Sequence, residues 1–201
     1  LYGDATYATF YQQYRNRRQV AYMGANDGML HAFNAGFYHA GDDTSVGAPA
    51  GVTEHGWFSM APDGLLNTGP GPLRSSTLPV GAEMWGFIPY QLLPHLKWLA
   101  RPDYQHVYYV DLKPKITDAR IFTPDADHPG GWGTVLIGGF RMGGSCGNCE
   151  LATGGKPMMV NIGGTDRYFY SAYFAMDVTN PEKDPQLLWV FSDVDQGFTT
   201  S

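Results

Sequence analysis

The thiols of this chain of 201 residues are Cys146 and Cys149, set two residues apart in Gly-Ser-Cys-Gly-Asn-Cys-Glu. That spacing serves several chemistries. A dithiol redox pair works where a helix N-terminus lowers one thiol pKa inside a strand-helix-strand unit, whereas Gly143-Gly144-Ser145 before Cys146 reads as loop. Haem attachment needs a histidine directly after the second cysteine, and this chain has Glu150 there. Zinc needs two further ligands at suitable spacing, which no neighbouring residues supply. The expectation is a disulfide between Cys146 and Cys149 that clips a glycine-rich loop in an oxidising compartment.

The other reactive side chains lack a catalytic arrangement. His31, His39, His55, His95, His106 and His128 stand in unlike contexts, with no HExxH run and no triad-like pairing. Ser75 and Ser76 lie in a loop without a nucleophile elbow. Asp125, Asp127 and His128 are followed by Pro129 and two glycines, the composition of an ordinary turn. No catalytic residue is nominated. Asn26-Asp27-Gly28 stands between two short apolar runs, 20–24 and 29–35, and reads as a structural hairpin turn without a ligand role. A two-residue connection of the mirror-image type is expected there, with Gly28 as its sensitive position.

The elements that hold these residues are mostly strands. Hydrophobic residues make up 43% of the chain and charged ones only 16%, enough for a real core, and 26 glycines and 14 prolines favour a turn-rich β construction. A net charge of -6, with cations scattered apart from Arg15-Asn16-Arg17-Arg18, leaves no footprint for nucleic acid. No apolar run approaches the roughly 18 to 20 residues of a membrane span. The chain opens on Leu1, without an initiator Met or a signal segment, and is expected to be a fragment or a processed product.

Residues 4–17 are predicted helical, with Tyr7, Phe10, Tyr11 and Tyr14 in one stripe and Asp4 as cap. Residues 36–81 show no sustained period and read as an insertion loop, tacked down by Trp57 and Phe58. Residues 82–88 read as a strand, and 90–100 as a helix with Leu92, Leu93, Leu96 and Leu99 on its apolar stripe. Strands are further predicted over 106–112, 115–122 and 133–140.

A unit of three strands recurs. Ala-Tyr-Met-Gly-Ala at 21–25 is echoed by Val-Leu-Ile-Gly-Gly at 135–139, Ala32-Phe33-Asn34 by Ala175-Met176-Asp177, and 83–88 by 187–192, each of the last pair bearing a tryptophan, Trp85 or Trp189. The first unit spans about 18–88 with its insertion at 36–81; the second spans about 106–192 with its insertion at 141–168. Small repeated sheets, each with a blade tryptophan, are what radial packing of propeller blades requires. The expected fold is mainly β, a partial β-propeller with quinoprotein-like blades, long loop insertions and two short helices, all belonging to one propeller domain. Two units cannot close a ring of at least about four blades, so further blades are expected beyond Ser201.

Six segments in order carry a family resemblance: Val20 to Ala35, Met84 to Ala100, Asp103 to Asp111, Thr134 to Gly144, Tyr173 to Pro181 and Leu187 to Thr199. Together they resemble the C-terminal propeller of the PilC/PilY family of type IV pilus assembly factors and tip-associated adhesins. The resemblance implies a non-enzymatic, exported module of the periplasm, outer membrane or cell surface at the pilus tip. It implies minor pilins of the tip complex, and a host or abiotic surface, as partners. It also implies calcium modulation through a loop of alternating acidic residues. Asp193 and Asp195 alternate in this chain, but no further carboxylate follows them. The calcium loop is therefore expected outside the chain, which itself is expected to hold no cofactor. A second resemblance, to pyrroloquinoline-quinone dehydrogenase blades, would make an enzyme, but their adjacent cysteine pair differs from the two-residue spacing of Cys146 and Cys149. A generic exported propeller scaffold is the remaining alternative.

Overall fold

The computed structural model describes residues 3–41, 55–61, 69–74, 78–104, 106, 108–141, 158–162, 165–169 and 172–192. The chain opens with a helix, α1 (Ala5–Tyr14), started by Asp4, whose Oδ1 accepts from Thr6 N–H at 2.8 Å. These hydrogen bonds from Thr6, side chain first and then backbone, hold the Asp4 carboxyl below its ordinary range. Phe10 and Tyr14 of the predicted stripe are buried, Tyr7 meets the Trp132 ring edge-on at 4.8 Å, and Tyr11 is exposed. The helix ends at Tyr14, the last residue of the aromatic stripe and short of the predicted end at residue 17, and turns one side to the second half of the chain.

The first sheet contains β1 (Gln19–Gly24), β2 (Leu30–Ala40), β3 (Gly56–Ser59) and β4 (Glu83–Phe87). The first half of β2 lies between β1 and β4, and its second half pairs with β3, Phe37 opposite Ser59 and Ala40 opposite Gly56. Residues 36–81 are thus not simply an insertion loop: β2 runs on to Ala40, and a fourth strand returns to it. Trp57 stacks on His39 with ring centroids 4.2 Å apart, the tacking expected of it. Its pairing half lies too far away in sequence for a local periodicity to show.

The second sheet contains β5 (Lys115–Arg120), β6 (Trp132–Gly139), β9 (Ala172–Asp177) and β10 (Gln186–Ser192), in the order β10-β9-β6-β5 and antiparallel throughout. Between β6 and β9 in the chain, β7 (Met158–Ile162) and β8 (Thr165–Phe169) form a separate two-stranded hairpin. Among the described residues the architecture is therefore mainly β, two four-stranded antiparallel sheets and one hairpin with helical connections, and neither four-stranded sheet closes on itself.

Two connections differ from the sequence reading. Residues 90–99 form a 3-10 helix, Tyr90–His95, before one turn of α-helix, α2 (Leu96–Leu99). With three residues per turn the buried side moves: Leu92 and Gln91 are fully buried, while Leu93 and Leu99 are exposed. Among the described residues of 106–112 no strand forms. Tyr109 and Val110 are instead buried in the core, and the segment bridges the two sheets, Val110 N–H donating to the Ala25 carbonyl at 3.4 Å and Leu112 N–H to the Gly139 carbonyl at 3.2 Å.

The core lies between the sheets. Leu30 of the first and Leu136, Phe174 and Met176 of the second are buried there, with Tyr22, Trp85, Phe87 and Val190 packed against them. Phe87 and Phe174 meet across the interface with centroids 5.1 Å apart. A side chain at Gly24 would run into the Val110 carbonyl, so the bridging segment needs glycine at the end of β1.

Candidate functional site: a turn cluster and an uncovered aromatic face

Ala25 N–H donates to the Met29 carbonyl at 2.9 Å, so Asn26, Asp27 and Gly28 form a three-residue loop in place of the expected two-residue one. Such loops place a left-handed residue at their end, and Gly28 has φ +92°. Asp27 Oδ1 accepts from Met29 N–H at 2.9 Å and its Oδ2 lies 2.9 Å from His31 Nε2. The other ring nitrogen, Nδ1, lies 2.7 Å from Glu83 Oε1. Burial opposes charge on His31, but its hydrogen bonds to Glu83 and Asp27 outweigh that and raise its pKa above the ordinary value. Asn26 reaches the other way, its Oδ1 accepting from Tyr109 N–H at 3.4 Å. The turn thereby joins β1, β2, β4 and the bridging segment, an arrangement that hydrogen-bond spacing along the sequence does not reveal.

A second imidazole sits between carboxylates at the end of the other sheet. His128 Nδ1 lies 2.9 Å from Asp125 Oδ1, His128 Nε2 lies 2.9 Å from Asp177 Oδ2, and the ring stacks on Phe122 at 4.2 Å. Asp125 also accepts from the N–H groups of Asp127 and His128, at 2.9 and 2.7 Å. Asp127 binds Asn180 Nδ2 at 2.9 Å and the Lys183 ammonium. These carboxylates are committed to their own turn and to each other's neighbours. Among the described residues, no three His, Cys, Asp or Glu side chains are grouped to hold a metal ion.

The two predicted blade tryptophans occupy the same place in the two sheets. Trp85 pairs with Ala32, which pairs with Tyr22; Trp189 pairs with Ala175, which pairs with Ile137. Both third strands carry one extra residue just before the tryptophan, Met84 in β4 and Leu188 in β10, a bulge at the same position. Asn34 and Asp177 stand at corresponding positions of the second strands, each accepting from the backbone N–H two residues on, Gly36 at 2.9 Å and Thr179 at 2.9 Å, although β9 ends there and β2 runs on to Ala40. The first strands need a correction of one residue: Tyr22 corresponds to Ile137 and Gly24 to Gly139, since Tyr22 faces Ala32 and Ile137 faces Ala175. A slip of one exchanges the faces of a strand, and here the glycine-rich ends had hidden it.

What the tryptophans meet differs. Trp85 packs near Tyr22, ring centroids 5.7 Å apart, against the core between the sheets. Trp189 remains 44% exposed, beside Tyr173 at 44% and Phe191 at 40%. Tyr173 pairs with Phe191 and Ala175 with Trp189, so the three aromatics share the side of the sheet that faces away from the core. Cys146, Cys149, Ser75, Ser76, Asp193 and Asp195 lie outside the described residues.

Buried ionic contacts tie the sheets together. The Arg18 side chain is fully buried, donates from Nε to Glu182 Oε1 at 2.8 Å and from Nη1 to Asn34 Oδ1 at 3.0 Å, and lies 4.7 Å from the centre of the Phe37 ring. Sequence reading placed Arg18 in a small basic cluster and missed this role, because Glu182 stands far along the chain.

The chain is a distant homologue of type IV pilus biogenesis factors. It is 28% identical over 200 residues, 94% of its length, to a protein of Xylella fastidiosa named type IV pilus biogenesis factor PilY1 homolog. A second Xylella protein of that name is 32% identical over 71% of the chain. Type IV pilus biogenesis factor PilY1 of Pseudomonas aeruginosa is 28% identical over 99% of the chain. The chain spans about a tenth of the length of these relatives, between 8% and 11%. No family model matches the chain. No solved structure matches it.

Proposed function

We propose that this chain is a non-enzymatic module of a type IV pilus biogenesis factor, exported to the cell envelope and serving pilus assembly and surface attachment at the pilus tip. The relation to proteins named PilY1 over nearly the whole chain carries this reading. Its partners are then minor pilins of the tip and the surface to which the pilus attaches. Cys146 and Cys149 are oxidised to each other in the exported protein, and calcium, where it acts, binds elsewhere in the polypeptide. Asn26, Asp27 and Gly28 serve as a structural turn.

The same reading makes the sheets consecutive blades of a β-propeller. In a propeller every sheet is packed on both faces by its neighbours. The Trp85 side of the first sheet already packs on the Phe174 side of the second. On the corresponding side of the second sheet Tyr173, Trp189 and Phe191 stay exposed, and that side is the seat of a third sheet. Exposed aromatics gathered on one side of a sheet mark a contact surface rather than a solvated one.

Deletion of the encoding gene tests the proposal. Surface piliation and attachment fall in the deletion strain and return with the intact gene. Unchanged piliation would overturn the assignment, and stoichiometric binding of pyrroloquinoline quinone with alcohol oxidation would replace it by the dehydrogenase reading.

A further inference from the structure

The second sheet has a strand that the first lacks. With β6 matched to β1, β9 to β2 and β10 to β4, the outer neighbour of β6 is β5, and β1 has no such neighbour among the described residues. The residues before β1 do not supply it. They form α1, which is held to the second half of the chain, Tyr7 OH donating to Asp118 Oδ2 at 2.9 Å and Tyr14 OH to the Asp127 carbonyl at 2.8 Å.

The free edge of β1 is also unguarded. Strands that end a sheet in water usually carry charges, prolines or bulges that block further pairing. The true edge strand β5 has Lys115, Asp118 and Arg120. Gln19–Gly24 has no charged residue and no proline, and its irregularity is confined to the step between Gln19 and Val20. Beside this edge a cleft of about 250 Å³ opens, bordered by Val20 and Tyr22 of β1 and by Ile116, Thr134 and Val178 across from them. Arg17 stands at the same cleft, its Nη1 donating to Thr134 Oγ1 and the Thr179 carbonyl, both at 2.9 Å, with the Asp118 carboxylate behind Thr134 Oγ1 at 2.7 Å.

We propose that the outer edge of β1 is paired, in the polypeptide as the cell makes it, by an extended strand of the same polypeptide from outside residues 1–201. The strand adds to the sheet as β5 does to β6, through main-chain hydrogen bonds. Its alternate apolar side chains fill the cleft against Val20 and Tyr22. The relatives have the material for it, since this chain spans only 8% to 11% of their length. The inference rests on the correspondence of the two sheets and is independent of the pilus assignment.

A photo-crosslinking residue, benzoylphenylalanine, placed at Met23 of the full-length polypeptide tests the proposal; that side chain is 56% exposed, so the substitution leaves the fold intact. After irradiation, peptide mapping should join Met23 to a segment of the same polypeptide outside residues 1–201. A crosslink to a second copy, to another protein or within residues 1–201, or no crosslink at all, overturns it. Hydrogen exchange of the unmodified protein supplies a second reading: β1 amides should exchange about tenfold or more slowly than those of β5. Exchange of β1 at the rate of β5 means a bare edge.

Discussion

The two sheets repeat one plan and spend it on different surroundings. At corresponding positions His31 stands on the first sheet and Phe174 on the second, as the register of β2 and β9 against β4 and β10 places them. Phe174 is fully buried in the core between the sheets; His31 lies on the opposite side of its sheet, held by Asp27 and Glu83. At corresponding positions of the second strands, Asn34 is served by the buried Arg18 and Asp177 by His128. The difference teaches that the backbone plan, with its bulge and its side-chain acceptor for the N–H two residues on, is what repeats. The side chains follow whichever neighbour each face happens to have.

The largest effect should come from the buried pair that has no counterpart in the second sheet. Glu182→Ala leaves the Arg18 guanidinium without its carboxylate in a site from which water is excluded, at a cost of about 3–5 kcal/mol. Urea unfolding measures it, and the double change Arg18→Met with Glu182→Leu should recover most of the loss. If the double variant is no better than Glu182→Ala, the pair is not an isolated ionic contact.

Next in size is the contrast between the tryptophans. Trp85→Ala removes a ring from the packed interface and should cost about 2–4 kcal/mol. In the chain of residues 1–201, Trp189→Ala should cost less, about 1 kcal/mol, since 44% of that residue is exposed. Equal losses in that chain would mean that the Trp189 side is already covered.

The turn follows. Gly28→Val forces a β-branched residue to a φ of +92° and should cost about 1–3 kcal/mol. Asp27→Asn should change the melting temperature far less, with or without calcium. A calcium-dependent stabilisation that disappears in Asp27→Asn alone would make the turn a ligand site.

How much of this was legible in the sequence depends on range. The hairpin strands, the tryptophan strands and the helix start at Asp4 could be read because period, turn residues and caps act within a few positions. The pairing of β3 with the far half of β2, the clamp between Arg18 and Glu182 and the bridging role of Tyr109 depend on partners many residues apart, for which local pattern has no signal. The 3-10 turn at 90–95 misled the reading more subtly: the leucines are at helical spacing, and only a tighter helix puts Gln91 inside and Leu93 outside. The segment at 106–112 has strand composition, and Tyr109 and Val110 of it are buried, although its described residues pair with no full strand.

The smallest effect concerns the turn cluster of the first sheet. The folded pKa of His31 is raised above its ordinary 6.5, so its stabilising contribution is complete below that value and fades as pH rises through the higher folded value. The gap in melting temperature between the parent and His31→Gln should therefore narrow from about pH 5.5 to about pH 8. A gap that widens over this range would contradict the assignment of Asp27 and Glu83 as its partners.

The central claim, that each sheet lays its tryptophan side on the next, is tested most directly by oxidative footprinting of tryptophan in the full-length polypeptide. If a third sheet covers the second, Trp189 is oxidised as slowly as Trp85, together with slow labelling of Tyr173 and Phe191. Trp189 oxidised at the rate of a freely exposed tryptophan, while Trp85 stays protected, would contradict it.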